Sequence, residues 1–256
     1  MHAFLGFDGI SPHKFLGRAR KQLQKYTTVT YVKNTISGIT REDALYVVRD
    51  NEGRVWKSKA VLLATGLVDH LPNVPNIENY YGNSVHLCPY CDGWENRDKV
   101  LGVIGANEAA IQLAQELCLW SHEVILFTNE ATQDNNLPQL PSPSGIRLIT
   151  GKIEGLQSAD GVANQLKAVS LENGEWIACH ALFFSPNQVQ HSCLAQSVGC
   201  LLDGSSVGCD TEGGTYLPGF FVAGNATKGI QMAIVAAAEG LITAAAINEW
   251  LMDLDS

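Results

Sequence analysis

The chain runs to 256 residues, 46% hydrophobic and 17% charged, a composition that excludes a disordered polypeptide. A chain of this length buries roughly 70–75% of its unfolded surface and needs neither disulfide nor metal staples. Seventeen basic against 26 acidic residues leave a net charge of −9, which argues against a nucleic-acid binder and against docking on an anionic membrane.

Residues 12–26 (PHKFLGRARKQLQKY) predict a helix, with Pro12 in its first turn and Phe15, Leu16, Ala19 and Leu23 at helical spacing. Three strand-like runs follow, TVTYVKNTISGI, ALYVVRD and RVWKSKAVLLATG, and the Asn51-Glu52-Gly53 turn joins the last two as a hairpin. The unalternating run Val61–Ala64 predicts a strand buried on both faces, ending at Thr65-Gly66. Beyond residue 83 the order is strand (Lys99–Ile104), helix (Asn107–Trp120) and strand (Glu123–Phe127), the β-α-β unit of a parallel sheet. Ala110, Leu113, Ala114 and Leu117 form that helix's apolar face. Residues 129–145 are polar and proline-rich, hence a loop. Residues 146–184 predict a meander turning at Asp160-Gly161 and Asn173-Gly174. A last strand, Gly219–Val222, leads to an alanine-rich apolar stretch, Met232–Leu251, whose Glu239, Asn248 and Glu249 favour a buried helix over a membrane span.

Seven cysteines, an odd number spread along a chain with no apolar signal core at its N-terminus, predict a reducing, cytoplasmic compartment. Cys88-Pro-Tyr-Cys91, preceded by His86 and followed by Asp92-Gly93, is the sharpest motif. At a helix N-terminus such a pair forms a redox dithiol, because the dipole and free N–H groups favour a thiolate. Half of a zinc site is the competing reading, and two inert thiols a third; no second C-x-x-C stands in the chain, and no metal is expected. The other five cysteines read as small buried hydrophobes.

Gly105-Ala106-Asn107-Glu108-Ala109-Ala110 stands where a dinucleotide fingerprint belongs, between strand and helix. Asn107 replaces the middle glycine, Glu108 brings negative charge to the phosphate position, and Phe127–Glu130 offers no cation for a 2′-phosphate; Glu130 is a candidate ribose ligand. NAD(P)H use is therefore left open, against a β-α-β unit that keeps its packing without its ligand. Val222-Ala-Gly-Asn225, then Gly229-Ile-Gln231-Met232-Ala233, is a strand–helix junction able to present backbone N–H groups, or an ordinary turn.

Taken together, CPYCDG behind His86, the Ala64-Thr65-Gly66 turn and the late Val-Ala-Gly-Asn…Gln-Met-Ala segment give the chain a resemblance to the thioredoxin-reductase-like branch of the FAD-dependent pyridine-nucleotide-disulfide oxidoreductases. The resemblance implies an α/β, Rossmann-like FAD/NAD(P)-binding fold of two domains, the second inserted into the first. The FAD-binding domain would take residues 1–82 and 183–256, the nucleotide-binding-like insert 83–182. It implies FAD contacts at Thr65, Gly66, Gly224, Asn225, Gln231, Met232 and Ala233. It makes Cys88 the thiol that attacks the partner disulfide, Cys91 the thiol facing the flavin, and Asp92 the proton-transferring acid. A homodimer acting on a thioredoxin-like protein or a small dithiol or disulfide is expected, with an oxygen-dependent dithiol oxidase and a non-catalytic fragment as alternatives. Asn225 stands where the family has aspartate, and an amide still donates and accepts. The family's opening strand–helix–strand unit with G-x-G-x-x-G does not precede Met1, so the chain is expected to start inside the FAD domain.

Overall fold

Ser11 and Pro12 open the first helix as their chemistry requires: the Ser11 hydroxyl accepts from the Lys14 N–H, and Pro12, lacking an N–H, takes the first turn. This helix, α1 (Pro12–Leu23), buries none of its residues. The computed structural model describes residues 1–129, 140, 145–254 and 256. They form two compact units, unit 1 from Met1–Ile10 and His70–Asn187, unit 2 from Ser11–Asp69 and Gln188–Ser256.

In unit 2, β1 (Ile36–Glu42), β2 (Leu45–Asp50) and β3 (Val55–Ser58) make an antiparallel meander. The strand expected from residue 28 begins only at Ile36. Asp50 fixes the hairpin between β2 and β3 by accepting from the backbone N–H groups of Glu52 (3.0 Å) and Arg54 (2.8 Å) and from Arg54 Nε (2.7 Å). Next come β4 (Val61–Leu63) and β5 (Leu67–His70).

Unit 1 contains β6 (Val85–His86), α2 (Pro89–Asn96), β7 (Leu101–Ile104), α3 (Glu108–Leu117), β8 (Val124–Phe127) and β9 (Ile146–Ile149). A meander of β10 (Ile153–Ala159), β11 (Val162–Leu171) and β12 (Trp176–Ala178) follows, then β13 (Ala181–Phe184). The five-stranded sheet runs β6-β13-β7-β8-β9, all parallel. The expectation of one meander over 146–184 is corrected at both ends, since β9 and β13 join the parallel sheet. Their apolar side chains pack into the two cores on its faces, Phe184 with Ile125 and Phe127, Ile146 and Phe183 with Leu113 and Leu117. Ala110, Leu113, Ala114 and Leu117 of α3 are buried as their spacing predicts. Most of the 129–145 stretch, Glu130 included, lies outside the described residues.

Back in unit 2 are β14 (Asn187–Gln190), which pairs with β5, a short helix α4 (Leu194–Ser197), and the hairpin of β15 (Leu202–Asp203) and β16 (Ser206–Val207). Strand β17 (Phe220–Val222) pairs in parallel with β4, Phe220 opposite Val61 and Val222 opposite Leu63. Phe220, Val222, Leu63, Tyr46 and Ile39 share the core of this unit. The chain ends in α5 (Ala233–Leu254). Two expectations fail here. Leu62 of β4 is 39% exposed, so that strand is not covered on both faces. In α5, expected to be closely packed, Thr243 alone is buried among the described residues, because its remaining faces meet no other element. The compact units divide at 69/70 and 187/188 rather than at 83 and 182, because Val74, Ile77 and Tyr80 pack in the core of unit 1. Residues 1–10 also belong to unit 1.

Candidate active site

Strand β6 ends beside the start of α2, where Cys88 is the N-cap residue and Pro89 the first helical residue. The first turn of a helix leaves N–H groups without carbonyl partners. Here those of Cys91 and Tyr90 reach the Cys88 sulfur, and the Cys91 thiol donates to it as well. The Cys91 thiol, more than anything else, brings Cys88 down to about 6, against burial and the Asp92 carboxylate, which push the other way. Cys91 moves in the opposite direction, because it is the donor of that bond and is itself half-buried. The two free thiols therefore form an unequal pair, a thiolate and its hydrogen-bond donor.

Asp92 and His86 adjoin the pair. His86 Nδ1 lies 3.5 Å from Asp92 Oδ1. The Asn96 amide donates to the Asp92 backbone carbonyl at 2.9 Å and lies 3.4 Å from His86 Nε2. Burial lifts the Asp92 carboxyl above its ordinary range and holds the His86 imidazole below its own, each opposed by the other's charge. Both shifts disfavour the charged forms of the two groups. The sequence singled out Asp92 and named His86 only as part of the motif; Asn96 was missed, although four residues after Asp92 on a helix is one turn away. Gly93 lets α2 approach closely, since a Cβ there would meet the Trp120 ring at 2.8 Å.

In unit 2, the parallel register of β4 and β17 brings Thr65-Gly66 and Gly224-Asn225 out side by side. A Cβ on Gly66 would stand 4.0 Å from that of Asn225, and Gly66 and Gly224 adopt φ of +69° and +73°, which favour glycine. The Gly224 N–H donates to the Glu239 carboxylate at 2.8 Å, and Thr227 Oγ1 donates to the same group. The Gln231 side chain pairs with that of Gln188. Met232 is half-buried, Ala233 exposed, and α5 starts only at Ala233. Glu239 and Gln188 were not legible beforehand, because their partners lie far along the chain. Thr65 Oγ1 is buried and has no hydrogen-bond partner among the described residues.

At the crest of β7, Gly105 fits because a Cβ would meet that of Ala110 at 2.7 Å. Asn107 caps α3, its Oδ1 accepting the Ala110 N–H at 3.0 Å, and Glu108 opens the helix. Cys179 and Cys200 are buried as expected, whereas Cys193 and Cys209 are exposed, one at the cap of α4 and the other in the loop after β16. No cluster of three metal-ligating side chains occurs among the described residues.

A parallel sheet with a strand–turn–helix crest, and a C-x-x-C at a helix N-terminus, define an FAD/NAD(P)-binding α/β protein of the disulfide-oxidoreductase class. The chain belongs to the pyridine nucleotide-disulphide oxidoreductase family, whose profile matches residues 6–240. It is 32% identical over 136 residues to a probable thioredoxin reductase of Arthroderma benhamiae, covering 50% of this chain but only 33% of that one. Thioredoxin reductase aclD of Aspergillus oryzae is 26% identical over 264 residues, 96% of this chain and 82% of its own. Among solved structures, the putative thioredoxin reductase TrxB of Bacillus anthracis superposes with a TM-score of 0.89 at 30% identity, over 100% of this chain and 86% of its own. HlmI does so at 0.91 and 29%, over 100% and 80%. The family binds FAD. The unpartnered Thr65 hydroxyl beside two left-handed glycines and the Asn225 amide is a donor and acceptor set that fits part of such a cofactor.

Proposed function

We propose that the chain is an FAD-dependent thiol–disulfide oxidoreductase that passes electrons between the flavin, the Cys88/Cys91 pair and a dithiol or disulfide substrate. The observation that carries this reading is the place of the pair at the N-terminus of α2, with Cys88 as the cap and the Cys91 thiol and first-turn N–H groups directed at its sulfur, which lowers Cys88 and raises Cys91. In the reducing direction the Cys88 thiolate attacks one sulfur of a substrate disulfide and the substrate's other sulfur leaves as a thiolate. Cys91 then loses its proton and attacks Cys88, which releases the second substrate sulfur. Two protons and two electrons have moved to the substrate, and a Cys88–Cys91 disulfide remains. Asp92, whose hold on its proton burial strengthens, supplies a proton to a leaving thiolate, and His86 holds that carboxyl in place. FAD, when bound, would supply the electron pair that returns the disulfide to the dithiol, or in the opposite direction accept the pair that the dithiol gives up. Thr65, Gly66, Gly224, Asn225, Gln231, Met232 and Ala233 are the residues that would hold it. A thioredoxin-like protein or a small disulfide is the substrate class, and a cytoplasmic homodimer the working form.

A second reading, a dithiol oxidase that delivers electrons to oxygen, is favoured by the Asn107 cap and by Glu108 at the place where a nicotinamide dinucleotide would bring its phosphates. NADPH oxidation against oxygen uptake separates the two. Differential alkylation with mass spectrometry tests both. Cys88 and Cys91 should be protected in the oxidised chain and exposed by reductant, the other five cysteines labelling alike in both. Cys91→Ser should trap a mixed disulfide on Cys88, and Cys88→Ser should trap none. Equal labelling of the pair with and without reductant, or a stoichiometric zinc ion on it, would overturn the redox assignment.

A further inference from the structure

His2 lies far from the dithiol in sequence, yet it reaches the helix that carries it. Its Nε2 is 2.8 Å from Glu95 Oε1 on α2, and its Nδ1 is 3.0 Å from each carboxylate oxygen of Asp8. A carboxylate only accepts, so both ring nitrogens must donate, and this arrangement requires the imidazolium. Glu95 follows Asp92 by three residues and Cys91 by four, so His2 is tied to the side of α2 that carries them.

Residues 1–10 close into a loop around this contact. The Gly9 N–H donates to the Met1 carbonyl at 3.0 Å, the Phe7 N–H to that of Phe4 at 2.9 Å, and the Ile10 N–H to that of Phe7 at 3.1 Å. The rings of Phe4 and Phe7 meet edge to face at 5.9 Å. Ala3, next to His2, takes a φ of +59°, which L side chains rarely adopt. Such a conformation persists only where its surroundings hold it, and the paired bonds of His2 stand beside it.

The charged groups facing His2 are Asp8 on the loop and Glu95 on α2, with Asp92 beyond; the Met1 amino group also acts on Glu95 and Asp92, and His86 on Asp92. Bonds to Glu95 and then Asp8 hold the His2 imidazole above its ordinary range. A histidine raised in the folded chain contributes its stability fully below the ordinary imidazole value and loses it as pH rises through the raised one. Behind burial, the Glu95 charge raises Asp92, while those of His86, the Met1 amino group and His2 lower it.

We propose that charged His2 is a positioning residue for the Cys88–Asp92 cluster: it clasps the 1–10 loop onto α2 through Glu95, and the clasp opens when the imidazole loses its proton. Its consequence for Asp92 chemistry rests on the redox reading of the pair, whereas the clasp itself does not.

The test is NMR of the full 256-residue chain, reduced, from about pH 5 to about pH 9. The His2 signal is the one lost in both His2→Gln and His2→Arg. Its midpoint should lie above the ordinary imidazole value, and Glu95→Gln and Asp8→Asn should each lower it. At about pH 6 the Gly9 and Ile10 amides should exchange about tenfold faster in His2→Gln and Glu95→Gln than in the parent. His2→Arg, charged throughout, should restore the protection and keep it at about pH 9, where the parent has lost it. The Asp92 carboxyl should titrate higher in His2→Gln, because a nearby cation is gone; loss of packing alone would expose that carboxyl and lower it. If His2→Gln does not fold, Glu95→Gln and His2→Arg carry the test. An ordinary His2 midpoint, parent-like exchange in folded Glu95→Gln, no rescue by arginine, or an Asp92 midpoint that falls in His2→Gln would each overturn the proposal. Differential alkylation of Cys88 and Cys91 on the same samples reports separately on the redox reading.

Discussion

A thiol reacts as its thiolate, so the hydrogen bonds at Cys88 set the pH at which this chain attacks electrophiles. Alkylation of Cys88 in the reduced chain should rise with pH through a midpoint near 6. Cys91→Ala removes the strongest of the lowering contacts and should move that midpoint upward; an unchanged midpoint would locate the cause elsewhere. The stability linkage has the same sign. A thiol lowered in the folded chain stabilises it fully above the ordinary thiol value, and loses that contribution as pH falls through about 6. Asp92→Asn separates electrostatics from proton transfer. It removes a charge that raises Cys88, so the alkylation midpoint should fall, while turnover of the flavin-loaded enzyme should drop by roughly 10²-fold or more. A midpoint moving upward would contradict the placement of that carboxylate. The Cys88, Cys91 and Asp92 cluster was legible because their spacing is one helical turn and Pro89 marks the helix start. His86 was not assigned a role, since its approach to Asp92 depends on how β6 turns into α2. Thr65-Gly66 and Gly224-Asn225 meet only through the pairing of β4 with β17, which no local pattern specifies; the Gly224-Asn225 junction was legible by itself, and its link to Thr65-Gly66 came through family resemblance.

Among the elements, β7 is the least tolerant of added volume. A Cβ on Gly102 would meet Leu182 Cδ2 at 2.6 Å and Phe127 Cε2 at 2.8 Å, both on fully buried side chains. Gly102→Ala should cost about 1–3 kcal/mol by overpacking, read as a lower thermal midpoint, at ~2–4 °C per kcal/mol for a chain of this size. A variant that melts with the parent would mean that the core gives way without strain. Helix α3 was legible because its apolar side chains repeat at 3.6-residue spacing above a capping asparagine. Strands β9 and β13 were misassigned because short apolar runs do not reveal which sheet they join. The run over 28–35 has strand-forming residues but lies in no strand; at its end the Thr35 carbonyl accepts the Asn51 N–H, and composition without a partner strand makes no longer ladder. In α5 the apolar composition was read correctly and its burial was not, because a hydrophobic sequence says that a helix needs a partner, not that the described residues provide one.

At the scale of the whole molecule, unit 2 holds a two-stranded parallel sheet, β4 with β17, and a 22-residue apolar helix with one buried residue. By length and composition α5 would suffice to cross a membrane. Leu241 at 73% and Met252 at 63% exposure lie on it, and exposed apolar surface of this kind drives association. Residues 1–256 should therefore self-associate in light-scattering chromatography, and Leu241→Lys with Met252→Lys should shift the profile toward monomer. A profile unchanged by the lysine pair would show that the exposed face of α5 does not govern the state of the protein in solution.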